Sequence, residues 1–142
     1  MTSGLIYALL CAGCFGLYTV FHSSGAMYIN SVLGAILVSA TAVLFGVMFL
    51  VPQLKQGSIQ VSGKGLLFVA LAGMCAFGID YFAFKAYRSD IPVSVGGPLI
   101  IGGAILVASV VGFVFGEQIT LIKLLAILLI VAGASILAAL AS

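Results

Sequence analysis

LLFVALAGMCAFGIDYFAFKAYRSDIP, residues 66–92, is the stretch that decides the fold of this chain. A helix needs roughly 20 apolar residues to cross the hydrocarbon core of a bilayer, and the part before RSDIP has that length. The chain has five Lys or Arg and three Asp or Glu, and half of these charges lie toward the end of this stretch, at Asp80, Lys85, Arg88 and Asp90. The stretch therefore predicts a transmembrane helix that ends in a charged turn, with Asp80 left inside its apolar part.

The composition of the whole chain indicates an integral membrane protein. Of its 142 residues 64% are hydrophobic and 6% are charged, and the mean hydropathy is +1.41. Soluble domains are about one quarter charged, so this chain has too few polar groups to cover a surface in water. The long apolar runs do not alternate with polar residues, which excludes an outer-membrane barrel. The net charge of +2 is too small to indicate a nucleic-acid partner.

Further apolar runs predict an all-α fold, a bundle of five transmembrane helices in a single unit that covers residues 1–142. HSSG at residues 22–25 is expected to end the first helix and Pro52 the second, with the longest polar loop at residues 52–65. RSDIP is a tight turn in which Pro92 opens the next helix. Because the number of spans is odd, the two termini are expected on opposite sides of the membrane. The predicted helices cover about 4–21, 28–51, 66–87, 93–115 and 119–140.

The polar residues are too few for most enzymatic chemistry. The sequence contains no nucleotide-binding motif and no metal-ligand cluster, and His22 is the only histidine. We therefore expect no enzymatic activity, no cofactor and no metal. His22 is interpreted as an interfacial residue, with the alternative that it lines the mouth of a site.

Asp80 is the strongest candidate for a functional residue. It lies roughly 5 Å from the bilayer centre, given the rise of a helix per residue, and a charged Asp there costs about 2.5–3.5 kcal/mol. The alternative is a structural hydrogen bond to Tyr or Ser on another helix. An aromatic face that carries one carboxyl group suits an organic solute with a polar or cationic part. At helical spacing the residues of this face are Phe77, Asp80, Phe84 and Tyr87, and those of the adjacent stripe are Tyr81, Lys85 and Arg88.

Position explains most of the other charges. Lys85 and Arg88 are near enough to the end of their helix for their charged groups to reach the headgroups. Asp90 lies in the turn itself. Glu117, in the final turn with Gly116, is expected near the first free N–H groups of the fifth helix, where a carboxylate is favourable.

The fourth helix begins VSVGGPLIIGG, with Pro98 among four glycines. A proline inside a helix removes one backbone hydrogen bond and bends the helix. Transporters often bind their substrate at such weakened helices. The alternative is a purely structural kink.

The C-terminal two thirds of the chain, from the stretch at residues 81–99 to the stretch at residues 115–137, resembles the EamA domain of the drug/metabolite transporter superfamily. The matching elements are an aromatic-rich third helix with a short turn after it, Pro98, the Gly116–Glu117 pair, Lys123 and a late Gly133. The first two helices match in length and hydropathy only. Most such transporters carry two five-helix units in opposite orientations, and this chain resembles the single-unit members, which work as pairs.

The resemblance implies a secondary transporter of small, often amino-acid-like, metabolites in the inner membrane of a bacterium or archaeon. It further implies a homodimer, for which we favour an antiparallel arrangement, or a pairing with a second five-helix subunit. The solute is expected between the first, third and fourth helices, near Asp80, Tyr81, Phe84 and Pro98. The alternatives are a non-transporting subunit of a larger membrane complex and a flippase for lipid headgroups.

Overall fold

The computed structural model describes residues 2–57, 61–118 and 120–140. Within these residues the chain is helical and has no strand. All five helices are long and apolar enough to cross a membrane, which indicates a multi-pass membrane protein and confirms the predicted number of helices. They are α1 (Thr2–Ala26), α2 (Ser31–Lys55), α3 (Gly63–Arg88), α4 (Val93–Val114) and α5 (Leu121–Leu140).

The end of α1 differs from the prediction. Residues 22–25, which were expected to break the helix, belong to it, and α1 continues to Ala26. Polar side chains do not interrupt a helix in an apolar surrounding, because each backbone group left without a partner costs free energy. The chain turns after Gly25, whose carbonyl accepts a hydrogen bond of 3.0 Å from the amide of Tyr28. Asn30 then caps α2 through its side chain, which accepts a bond of 2.9 Å from the amide of Val32.

Pro52 does not stop α2, which continues to Lys55. The amides of Gln56 and Gly57 turn back to the carbonyls of residues 53 and 54, and Gly57 has a φ of +63°. A proline removes only its own N–H from the hydrogen-bond ladder, so a helix about to end tolerates it. Gly57 follows the C-cap residue Gln56 and adopts the left-handed conformation at little cost.

The loop after α2 is shorter than predicted at both of its ends. Ser62 caps α3, since its hydroxyl accepts a 3.1 Å hydrogen bond from the amide of Gly65 and its carbonyl a 2.9 Å bond from Leu66. The helix therefore begins at Gly63. Part of the predicted loop, residues 58–60, lies outside the described residues.

The later turns are close to the prediction. Asp90 has a φ of +61° between α3 and α4, and Pro92 is the N-cap of α4, one residue before the first helical position. Gly116 has a φ of +92° after α4, in the predicted structural turn. The first residue of the predicted fifth helix, Ile119, lies outside the described residues, and α5 begins at Leu121.

The chain divides into two compact units. One unit consists of Met1–Phe21 with Ser89–Ser142 and contains α4 packed against α5. The other is His22–Arg88 and contains α2 packed against α3, together with the last turns of α1.

Close contacts between small residues shape the first unit. A Cβ atom at Gly102 would lie 2.9 Å from the Cβ atom of Ala134, and one at Gly97 would lie 3.2 Å from Cγ2 of Thr19. Helices that approach closely through small residues are typical of packing in lipid. The glycines of α4 that were considered as a weak point of the helix therefore include positions of tight packing.

Candidate functional site

Four of the buried side chains of the second unit are larger than Ala or Ser, and we name them the His22–Asp80 cluster, defined as His22, Asp80, Phe84 and Tyr87. Their exposed fractions are 4%, 7%, 4% and 4%, respectively. Most large apolar side chains of the described helices are exposed, as expected for surfaces that face lipid. A buried histidine and a buried carboxyl group therefore stand out in this chain.

Two helices supply the cluster. Asp80, Phe84 and Tyr87 are three or four residues apart on α3, so they project from one face of the helix. His22 comes from the last turns of α1, which exist because α1 continues through residues 22–25. Residues 22–25 were not predicted to be helical, and their helical conformation is what orients the imidazole of His22.

His22 and Asp80 form the polar centre of the cluster. The Nε2 atom of His22 lies 3.9 Å from Oδ1 of Asp80, and their side chains are 2% and 9% exposed. This distance is within the range of an ion pair if the imidazole is protonated, but it is longer than a hydrogen bond. The two groups are therefore close enough for the charge of one to control the protonation of the other.

Phe84 packs directly against this pair. Its ring centroid lies 3.7 Å from that of the His22 imidazole, with 38° between the ring planes. The edge of the ring lies over Gly34 of α2, where a Cβ atom would be 2.7 Å from Cε2 and Cζ. A glycine at position 34 is therefore required for this position of the ring.

Tyr87 completes the cluster with a polar atom. Its ring meets the His22 ring edge to face, with 6.3 Å between centroids and an angle of 68°. The hydroxyl is buried and has no hydrogen-bond partner among the residues that the structure describes. Buried hydroxyl groups are normally hydrogen-bonded, so this one is available to a polar ligand.

The predicted aromatic face of α3 is divided in the structure. Phe77 is 38% exposed and stacks on Tyr81 in the adjacent stripe, with 6.5 Å between centroids and 7° between planes. Burial on α2 similarly extends only from Ser31 to Ala35. The covered region is confined to the turns nearest the α1–α2 loop, and Phe77 lies beyond it.

The basic residues at the end of α3 lie outside the cluster. The ammonium group of Lys85 lies 4.8 Å from the centre of the Tyr81 ring, a cation–π contact. The Nη1 atom of Arg88 donates a 3.4 Å hydrogen bond to the carbonyl of Ile29 in the α1–α2 loop. Both residues are exposed, and their position at a membrane boundary stays a prediction.

Pro98 belongs to the other unit, as a half-buried residue inside α4. The helix continues through it to Val114, and Gly96, Gly97 and Gly102 are buried.

Glu117 follows Gly116 directly, in the connection between α4 and α5. Its carboxyl carbon packs against Gly112 of α4, where a Cβ atom would lie 3.0 Å from it. At the N-terminus of α5 the hydroxyl of Thr120 accepts a 3.3 Å hydrogen bond from the amide of Lys123. A neutral hydroxyl in the N-cap position satisfies the free amide without a carboxylate.

A groove in the first unit is almost entirely apolar. It has a volume of about 450 Å³. Its lining contains no charged side chain, and the thiol of Cys11 is its one polar side-chain group. In the described parts of the chain no three His, Cys, Asp or Glu side chains are grouped to hold a metal. The lining residues are Ala8, Cys11, Ala12, Phe15, Ile101, Ala104, Ile105 and Ala108.

Sequence reasoning identified Asp80, Phe84 and Tyr87 but not their association with His22 or the role of Gly34. The sequence feature that could have indicated the association with His22 was a single histidine in a nearly uncharged helix. A scan against models of protein families and searches against curated proteins and solved structures returned no match. The functional argument therefore rests on the geometry of the His22–Asp80 cluster.

Proposed function

We propose that the chain is a subunit of a secondary transporter that moves a small organic metabolite across the membrane by alternating access. The observation that carries this proposal is the burial of His22 beside Asp80 within helices that are long and apolar enough to span a bilayer. Ionisable residues inside membrane spans are costly and commonly mark the paths of substrates or ions. The resemblance of the C-terminal two thirds of the chain to the EamA domain supports the same class of function.

The residues of α3 divide into two groups in this proposal. The protonation of Asp80 and His22 changes together with the conformation of the transporter. Tyr87 offers a hydroxyl group to a polar ligand. The stacked rings of Phe77 and Tyr81 are more exposed than the cluster, so they form the surface at which an organic solute is first held. Lys85 and Arg88 mark the boundary of the membrane at that end of α3.

The transporting species is a dimer in the cytoplasmic membrane of a bacterium or archaeon, with the termini of each chain on opposite sides. Transporters with alternating access are commonly built from two inverted units. One five-helix unit reaches that arrangement by pairing with an inverted copy of itself or with a second five-helix subunit.

The test is solute uptake by the purified protein in lipid vesicles. Vesicles are incubated with a mixture of amino acids, amines and other small metabolites, and mass spectrometry records which compounds enter. We expect at least one class of compound to enter above the level of protein-free vesicles, and Asp80→Asn to abolish the entry while the protein remains folded. Asn preserves the shape of the side chain but cannot carry the charge.

Asp90→Asn is the matched control, because it makes the same chemical change in an exposed turn. Asn also tolerates the positive φ of residue 90. Full uptake by Asp90→Asn beside none by Asp80→Asn supports the proposal. No uptake of any compound by the wild-type protein would favour the non-transporting subunit, and movement of labelled lipids alone would favour the flippase.

A further inference from the structure

The His22–Asp80 cluster is packed too tightly to enclose an organic solute. The imidazole lies on the Phe84 ring at 3.7 Å, and the same ring lies so close to Gly34 that no side chain fits there. The separation of 3.9 Å between Nε2 of His22 and Oδ1 of Asp80 leaves no room between them for a group as large as an amine or a carboxylate. The ligand of this pair must therefore be very small.

We infer that His22 and Asp80 form one proton-binding site, in which the imidazole and the carboxyl group share a single exchangeable proton. The inference rests on the proposed function, because we assign this proton as the coupling ion of the transporter. Without the proton the pair is a neutral imidazole beside a carboxylate and has a net charge of −1. With it the pair is neutral, as imidazolium with carboxylate or as imidazole with carboxylic acid. Binding one proton therefore removes the net charge of a buried site.

A metal cation fits the site less well than a proton does. Oxygen-binding cations take six or more oxygen ligands, whereas the cluster offers the carboxylate of Asp80 and the hydroxyl of Tyr87. The imidazole nitrogen occupies the position nearest the carboxylate. No group of three metal-ligating side chains occurs in the residues described.

The surroundings of the pair on its own unit contain few other charges. The buried part of α2 contributes Ser31, Gly34 and Ala35, which are uncharged. On α3 the other titratable member of the cluster is Tyr87. The two cations at the end of α3 contact other groups, Lys85 the Tyr81 ring and Arg88 the carbonyl of Ile29. Within the cluster, the imidazole of His22 and the carboxyl group of Asp80 thus lie side by side, 3.9 Å apart.

The composition of the chain makes the shared proton directly observable. His22 is the only histidine, so the imidazole nitrogen signals of a ¹⁵N-labelled protein in lipid nanodiscs belong to one residue. Labelling of the aspartate side-chain carbon gives two further signals, those of Asp80 and Asp90. We expect the signals of His22 and Asp80 to change with pH at common midpoints, as coupled groups do. Separate midpoints for His22 and Asp80 would overturn the inference.

Substitution tests the coupling a second time. In Asp80→Asn the titration midpoint of His22 should move by about one pH unit or more, the size of effect that a nearby charge exerts. Asp90→Asn should leave the midpoint in place. An unchanged midpoint in a folded Asp80→Asn protein contradicts a shared proton. If that variant does not fold, the wild-type signals alone still decide the question.

A pH gradient across the vesicle membrane separates this inference from the proposed function. Uptake of a metabolite that is driven by the gradient, together with common midpoints, supports both. Metabolite uptake without any response to the gradient leaves the transporter standing and overturns the coupling role of the proton. If the signals of His22 and Asp80 have common midpoints but no compound enters the vesicles, the protein has a proton site but is not the proposed transporter. The coupling role assigned to the proton is then wrong.

Discussion

Phe84 occupies the space that a side chain at residue 34 would need. A Cβ atom on Gly34 would lie 2.7 Å from Cε2 and Cζ of the ring and 3.0 Å from Cδ2. The ring is also in contact with the His22 imidazole, so it cannot move without disturbing the histidine. This relationship links a glycine of α2 to the polar centre of the cluster, although Gly34 has no functional group of its own.

Gly34→Ala is therefore expected to destabilise the protein and to displace His22 from Asp80. Overpacking of this kind costs about 1–3 kcal/mol, which exceeds the gain in helix propensity from Gly to Ala of about 1 kcal/mol. The free energy of unfolding in mixed lipid–detergent micelles measures the loss, and the ¹⁵N signals of His22 show the displacement. Gly46→Ala on the same helix is the control, because a Cβ atom there meets nothing within 4 Å. Equal stability of the two variants would contradict the packing described.

Tyr87→Phe should stabilise the protein. The hydroxyl is buried and unpartnered within the described part of the chain, and leaving such a group unsatisfied costs about 1–3 kcal/mol. Its removal is expected to raise the free energy of unfolding by about 1 kcal/mol or more. Tyr7→Phe is the comparison, because Tyr7 is 71% exposed and should show no change. A clear loss of stability in Tyr87→Phe would show that the hydroxyl group holds a bound ligand or water in the native protein.

Gly102→Ala tests the packing of α4 on α5. A methyl group at this position would lie 2.9 Å from the Cβ atom of Ala134, and we expect a loss of about 1–3 kcal/mol in the free energy of unfolding. Gly103→Ala, one residue further on, introduces the same methyl group where nothing lies within 4 Å, and it should be neutral or slightly stabilising.

The double variant Gly102→Ala with Ala134→Gly exchanges the two side chains across the interface. It should recover most of the lost stability, and the double-mutant cycle gives the interaction between the two positions. Additive effects of the two substitutions would mean that these residues are not in contact.

The sequence predicted the number and type of the helices because five apolar runs of membrane-spanning length are a property of local composition. Helical spacing likewise predicted that Asp80, Phe84 and Tyr87 share a face. The helix ends were less predictable at residues 22–25 and at Pro52, where an apolar surrounding favours helical backbone over the local preference of polar residues and proline. The pairing of His22 with Asp80 was not predictable, because the residues lie on helices that are far apart in the chain. Gly34 was missed for the same reason, since its role depends on which side chain lies opposite.

Pro98→Ala is expected to slow transport without unfolding the protein. Proline lacks the N–H that would bond to the carbonyl of residue 94, and helices weakened in this way are common where transporters change shape. The turnover rate in vesicles measures the effect. Pro52→Ala is the matched control, because Pro52 is also inside a helix but lies near its end. A normal rate in Pro98→Ala, or equal slowing in both variants, would remove the gating role from Pro98.

The distribution of basic residues bears on how a single five-helix unit forms a transporter. If each helix crosses the membrane once, Lys55, Lys64 and Lys123 lie on the side of the N-terminus. Lys85 and Arg88 lie on the opposite side. The ammonium group of Lys123 donates a 3.2 Å hydrogen bond to the carbonyl of Gln118 in the α4–α5 loop, so it belongs to the loop and counts in full. The difference in Lys and Arg between the two sides is what orients a membrane protein, and here it is a single residue.

We therefore predict that the chain inserts in both orientations and forms an antiparallel homodimer. Reporter proteins fused to the C-terminus test this, and both a reporter active in the cytoplasm and one active outside it should give signal. Lysines in place of Leu54 and Val61, which lie on the side of Lys55 and Lys64, make the count five against two, and they should drive nearly all chains into one orientation and reduce transport, because the inverted partner is lost. Both residues are exposed, so this change spares the buried contacts. Signal from the exterior reporter alone would contradict dual insertion, and the pairing would then require a second subunit of opposite orientation.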